Sequence, residues 1–192
     1  LGGGKISHDS RMAWFVLWGT MPAVVAGYLL NGALEDSLRD TRVIAWATLV
    51  FGLFLFIADR WGTQQRGLGQ LGVRDVLLIG VAQALALIPG TSRSGVTITA
   101  ALALGLSRAA AARFSFLLSV PIISAAGTLK VVELIELGER VDWAGILFGV
   151  TVSFVSAFLC IGWFLKVIER LGLLPCVLYR FALGVIFLFF FS

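Results

Sequence analysis

Charge is scarce in this chain: Asp, Glu, Lys and Arg together make up 14% of its 192 residues. A soluble domain typically carries about 25%. The 15 Lys and Arg against 11 Asp and Glu leave a formal charge of +4, and no long basic run gathers them. A nucleic-acid partner is thereby excluded, because backbone phosphates demand a clustered basic face. Cysteine is rare too. Cys160 and Cys176 lie in apolar stretches without a neighbouring Cys or His at metal-ligand spacing. They read as small packing residues rather than a disulfide or a metal site. No signal-peptide pattern opens the chain, which starts Leu1-Gly-Gly-Gly-Lys5 without methionine, and further sequence is expected upstream.

What the chain has in abundance is apolar residues: 59% are hydrophobic and mean hydropathy is +0.97. Such a composition belongs to an integral membrane protein. Residues 12–30 are uncharged and long enough for one span, with Pro22 inside, which membrane helices tolerate. A solvated loop, 31–42, carries Glu35, Asp36, Arg39, Asp40 and Arg42. A short second span, 43–58, follows, and 59–75 is a connector rich in Gly, Gln and Arg. Later spans are predicted at 114–129 (with Pro121), 143–165 and 171–191, the last interrupted by Arg180, with an acidic loop at 130–142. The fold class is therefore all-α and polytopic, one membrane domain over 1–192, with about five transmembrane helices.

Between the second and third spans lies an anomaly. Two apolar runs, 76–88 and 95–106, flank Pro89-Gly-Thr-Ser-Arg-Ser-Gly95. Each run reaches only about 20 Å as a helix, against a hydrocarbon core of about 30 Å. A re-entrant hairpin over 76–106 satisfies these lengths; a pair of full spans extended by flanking residues is the alternative. Pro89 ends the first run and Gly90 lets the backbone turn. Ser92 and Ser94 are good N-caps for a helix from about Gly95, whose N-terminus favours an anion. Arg93 adds a planar fork suited to phosphate, and an arginine inside a membrane is functional by default. Singly, Ser92, Ser94 and Thr97 also fit a plainer role, bonding their own helix backbone. Arg180 lies about 7 Å from the helix end expected at Pro175 and can snorkel to the interface. Arg108 and Arg113 read as topology anchors. Gly145 and Gly149 license close helix packing, within one chain or in a homodimer.

Loop charge suggests an orientation. Arg108 and Arg113 crowd the short 107–113 loop, while Lys130 and Arg140 are spread through the acidic 130–142. The first loop is then cytoplasmic, as is 59–75 with Arg60, Arg66 and Arg74, and the hairpin enters and leaves from that side.

Residues Gln83-Ala-Leu-Ala-Leu-Ile-Pro-Gly-Thr-Ser-Arg-Ser-Gly-Val-Thr97 resemble a signature of the bacterial undecaprenyl-diphosphate phosphatase family, membrane enzymes associated with bacitracin resistance. The likeness continues through Met21-Pro-Ala-Val-Val25, Gly105-Leu-Ser-Arg108, Phe114-Ser-Phe-Leu-Leu-Ser-Val-Pro121 and Pro175-Cys-Val-Leu-Tyr-Arg180. The family's other signature, a Glu-x-x-x-Glu pair followed by Pro-Val-Ser-Ser-Thr-Gly-His, would lie before residue 1. Glu133, Glu136, Glu139 and His8 are no substitute for it. The chain thus resembles the C-terminal two thirds of such an enzyme, half of an inverted repeat, and is expected to be inactive alone.

The resemblance implies hydrolysis of an isoprenoid diphosphate to the monophosphate, with Arg93, Ser92 and Ser94 catalytic. Gln83, Thr97 and the turn residues Gly90, Thr91 and Gly95 would bind substrate. A divalent cation, Mg²⁺ or Ca²⁺, would take its ligands from the upstream portion. The membrane implied is the bacterial cytoplasmic one, with the site opening outward. Paired hairpins around an anion site also describe transporters, so a carrier of an anionic lipid or solute is the alternative.

Overall fold

The computed structural model describes residues 8–29, 40–136 and 142–190. Within them the secondary structure is helical: α1 (His8–Leu29), α2 (Thr41–Trp61), α3 (Val73–Ala84), α4 (Arg93–Ala103), α5 (Arg108–Glu136), α6 (Trp143–Leu171) and α7 (Leu174–Phe190). Short 3₁₀ turns cover Leu68–Gln70 and Leu85–Leu87. Helices α1, α2, α5 and α6 are long and apolar enough to cross a membrane. The last expected span is shorter, with 17 residues in α7. Gly172 breaks the preceding helix at φ +71°, and α7 starts only beyond it, with Pro175 in its first turn.

Local chemistry explains the boundaries. Asp40 caps α2 by accepting from the Arg42 amide at 2.9 Å, and Asp142 caps α6 by accepting from the Gly145 amide at 3.0 Å. Both loop predictions around α5 need correction. Residues 108–113 form its first turns rather than a loop, with Ser107 accepting from the Ala110 amide at 3.3 Å. At its other end the helix runs on through Glu136, with Lys130 and Glu133 paired at 2.6 Å along one exposed face. Most of the expected 31–42 loop and part of 130–142 lie outside the described residues.

The two short helices α3 and α4 form a V whose sides are covered by protein: α1 packs on α3, while α2 and α5 flank α4. Val76, Ile79, Ala101 and Leu102 are fully buried as a result. The α1–α3 contact is close, since a Cβ on Gly80 would lie 2.5 Å from the Gly19 carbonyl oxygen. In lipid such contacts replace the hydrophobic drive that water would supply.

The base of the V is bound by ion pairs. Arg66 grips Asp75 of α3 at 2.5 Å and donates to the Leu104 carbonyl after α4 at 2.8 Å. Its backbone bridges to the same turn, the Arg66 amide donating to Gly105 O and its carbonyl accepting from the Ser107 amide. Asp59 at the end of α2 accepts from Arg108 of α5 at 2.6 Å and from the Leu173 amide at 3.3 Å.

Candidate functional site

The tip of the V is a tightly specified turn. After the 3₁₀ turn, Gly90 takes φ +91°, and a Cβ there would meet the Ile44 carbonyl oxygen of α2 at 2.4 Å. Thr91 is buried, its hydroxyl donating to Ile88 O at 2.8 Å and its amide to the same oxygen at 3.3 Å. Ser92 takes φ +61°, a conformation costly for a non-glycine residue and concentrated at functional sites. It caps α4, its hydroxyl accepting from the Gly95 amide at 3.3 Å, and lies 3.4 Å from the Ser94 hydroxyl. The helix therefore begins at Arg93, two residues before the expected Gly95, with the amides of Arg93 and Ser94 at its open end. A partial positive charge gathers there.

Two guanidinium groups flank this helix end. Arg93 turns toward α3, where its Nε and Nη2 donate to Gln83 Oε1 at 3.0 and 2.6 Å. Gln83 is 2% exposed, and its buried amide Nε2 has no hydrogen-bond partner. From the other side comes Arg180 of α7, whose Nη2 donates to Gly90 O at 3.0 Å and Thr48 O at 3.3 Å. Its Nε is buried without a partner. Thr48 of α2 completes this side, donating through its hydroxyl to Gly90 O at 3.1 Å.

Arg180 departs from the position expected of it at the membrane edge. Rather than snorkelling to the helix end, it is drawn inward, because α7 packs along α2 and so lays the side chain over the turn. The available signal was the one that identified Arg93, an arginine inside an apolar run. Thr97 points elsewhere: its hydroxyl bonds Arg93 O at 3.0 Å and Ser115 of α5 at 2.7 Å, and the side chain is fully buried.

A groove of about 710 Å³ opens on the Arg180 side, lined at one end by Thr48, Gly90, Ser92, Ser94, Gly95 and Arg180. Apolar side chains of α4, α6 and α7 form the rest. Gln83, Thr91, Arg93 and Thr97 do not line it, so the predicted residues divide between two faces of one helix end. A cleft of about 750 Å³ beside Trp14 and Trp18 is slightly larger, but its one cation, Arg11, is engaged by the Gly69 carbonyl at 2.7 Å. Among the described residues no group of three His, Cys, Asp or Glu is placed to hold a metal ion.

The whole arrangement suits a dianionic or trianionic head group: backbone dipole, hydroxyls and two guanidiniums, with an apolar channel beside them. Sequence comparison agrees with this chemistry. The chain is 56% identical to the undecaprenyl-diphosphatase of Chromohalobacter salexigens over 186 residues, covering 97% of this chain and 70% of that protein. It is 55% identical to undecaprenyl-diphosphatase 2 of Stutzerimonas stutzeri, over 96% of this chain and 69% of the relative. With the undecaprenyl-diphosphatase of Nitrosococcus oceani it shares 48% over its full length, or 72% of that protein. Residues 3–186 match the family described as bacitracin resistance protein BacA, and the chain belongs to that family.

Proposed function

We propose that the protein hydrolyses undecaprenyl diphosphate to undecaprenyl phosphate and inorganic phosphate, returning the lipid carrier to cell-wall synthesis. The observation that carries this reading is the α4 N-terminus, flanked by Arg93 and Arg180 and edged by Ser92 and Ser94. Hydrolysis breaks the bond between the terminal phosphorus and the bridging oxygen, and negative charge moves onto the leaving monophosphate. Groups already oriented toward that charge lower the barrier without reorganising.

In this scheme Arg93 and Arg180 hold phosphoryl oxygens from opposite sides of the helix end. The Ser92 and Ser94 hydroxyls and the first amides of α4 add hydrogen bonds. Gln83 aims Arg93 and offers its unpartnered amide hydrogen, and Thr97 fixes the helix to α5. Gly90, Thr91 and Gly95 shape the cradle. The attacking oxygen comes either from water or from a serine. A divalent cation, Mg²⁺ or Ca²⁺, stays part of the proposal through the family likeness, but the described carboxylates do not fit it, and no step of this scheme runs through it. An anion carrier, the competing reading, has no observation here that favours it over hydrolysis.

The multi-pass membrane setting follows from the helices. The bacterial cytoplasmic membrane, and a site opening outward, belong to the proposal. So does a homodimer: a Cβ on Gly149 of α6 would meet nothing within 4 Å, leaving a small-residue strip for another helix. Phosphate release from a long-chain isoprenoid diphosphate by the full-length protein tests the function. Arg93→Ala and Arg180→Ala should each lose about a hundredfold or more in kcat, the scale of one removed charge-stabilising donor. Undiminished activity in both variants would overturn the cradle.

A further inference from the structure

The structure assigns a positioning role to Ser115 of α5: through a chain of two hydroxyls it fixes the first turn of α4, and with it Arg93 and Ser94. This rests on the reading of that turn as the cradle for the phosphoryl groups. Gln83 steers the Arg93 side chain, but the backbone beneath it needs a hold of its own. Helix α4 has only 11 residues and starts at the strained Ser92, and helix ends fray. Ser115 is 1% exposed and lines no part of the groove beside Arg180, so it acts on the substrate only through what it holds.

A hydroxyl inside a membrane helix ordinarily turns back on its own backbone. Thr20 does so, donating to Val16 O at 2.7 Å, and Thr99 donates to Gly95 O at 2.7 Å. Ser115 instead reaches across to α4, and its one hydrogen-bond partner among the described residues is the Thr97 hydroxyl at 2.7 Å. Ala111, Ala112, Phe114 and Leu118 are fully buried on the same stretch of α5, so an unpaired proton there would be costly. Each hydroxyl owns a single proton, and this fixes the direction of the chain. Thr97 lies 3.0 Å from Arg93 O and 3.2 Å from Ser94 O, two acceptors for its proton. Were Thr97 to donate to Ser115, the Ser115 proton would have no acceptor. Ser115 therefore donates to Thr97, and Thr97 donates to the carbonyls of the two residues that carry the proposed chemistry. A hydroxyl that accepts one bond donates a stronger one, so the contact from α5 tightens the grip on that turn.

Ser115→Ala removes the donor and little else. In full-length protein purified in detergent, kcat for phosphate release from a long-chain isoprenoid diphosphate should fall about tenfold, part of the hundredfold that a displacement near 1 Å can cost. KM should change by less than about twofold, the pattern of an interaction that counts in the transition state. Amide hydrogen exchange, followed by mass spectrometry, should quicken in the first turn of α4 and stay unchanged in α3 and α5. Ser119→Ala is the control: one turn further on, that hydroxyl goes to Phe116 O of its own helix, and kcat should not move. Thr97→Val should lower kcat, and adding Ser115→Ala to it should cost nothing more, because the two hydroxyls act as one chain. Undiminished kcat in Ser115→Ala would overturn the role, and so would losses that multiply in the double variant. Exchange quickened throughout the protein would also overturn it, marking Ser115 as a packing residue. A wild-type protein that releases no phosphate would sink the hydrolytic reading, while quickened exchange confined to the first turn of α4 in Ser115→Ala would still uphold the grip on Arg93 and Ser94.

Discussion

At Gly90 two constraints coincide, and together they leave no room for a side chain. Its φ of +91° is strained for an L residue, and a Cβ would overlap the Ile44 carbonyl at 2.4 Å. Gly90→Ala should therefore displace the turn from α2 and destabilise the protein by about 3 kcal/mol, read as a lowered thermal midpoint in detergent. Gln83 makes a different prediction. Its Oε1 accepts both hydrogen bonds from Arg93, so Gln83→Leu frees the guanidinium and removes charge-assisted bonds of about 2 kcal/mol. Phosphate release should fall, and an unaltered kcat/KM would exclude the orienting role. The turn residues were legible because Pro, Gly and Ser announce themselves by backbone chemistry. The Gln83–Arg93 contact was not, since side chains ten positions apart meet only once the V has closed.

Helices α3 and α4 owe their placement to their neighbours and to the polar knot at their base. A side chain at Gly80 would strike the Gly19 carbonyl, which lies 2.5 Å from the position of its Cβ. Gly80→Val should separate α1 from α3 and lower stability by several times what the same change does at Gly149, where no atom lies within 4 Å. A comparison of the two variants' thermal midpoints checks it. At the base, hydrogen bonding from Arg66 holds the Asp75 carboxyl below its ordinary value of 3.8; burial opposes this, while the Gly72 amide and the charges of Arg66 and Arg74 add to it. A carboxylate lowered on folding lends stability that is present above the unfolded pKa and lost as pH falls through the folded one. Acid should thus loosen the hairpin base below about pH 4, and Asp75→Asn should flatten that part of the stability profile. Helix positions could be read from the apolar runs, as α2 and α6 show, but not their lengths, since both run on past the apolar stretch to Trp61 and Leu171. The boundaries of α5 could not, because charged residues such as Arg108 and Glu133 are as content in a helix that leaves the membrane as in a loop.

For the molecule as a whole, loop charge and helix order suggest which side faces the cytoplasm. In a background lacking Cys160 and Cys176, a cysteine replacing Glu133 should react with a membrane-impermeant maleimide in intact cells. One replacing Arg74 should react only after permeabilisation, and the reverse pattern would invert the proposed orientation. By itself the amino-acid sequence determined the membrane class, the order of the apolar helices, the anomalous short pair and the polar turn between them. These are local properties: run length against bilayer thickness, and the few residue types that can turn a backbone and cap a helix. Only the tertiary structure decided that Arg180 meets the turn, that Arg93 is aimed by Gln83, and that a groove opens beside Ser92 and Arg180. Each of those depends on which helix packs against which, and in lipid that choice is made by the fit of small residues and buried hydrogen bonds, which hydropathy along the chain does not encode.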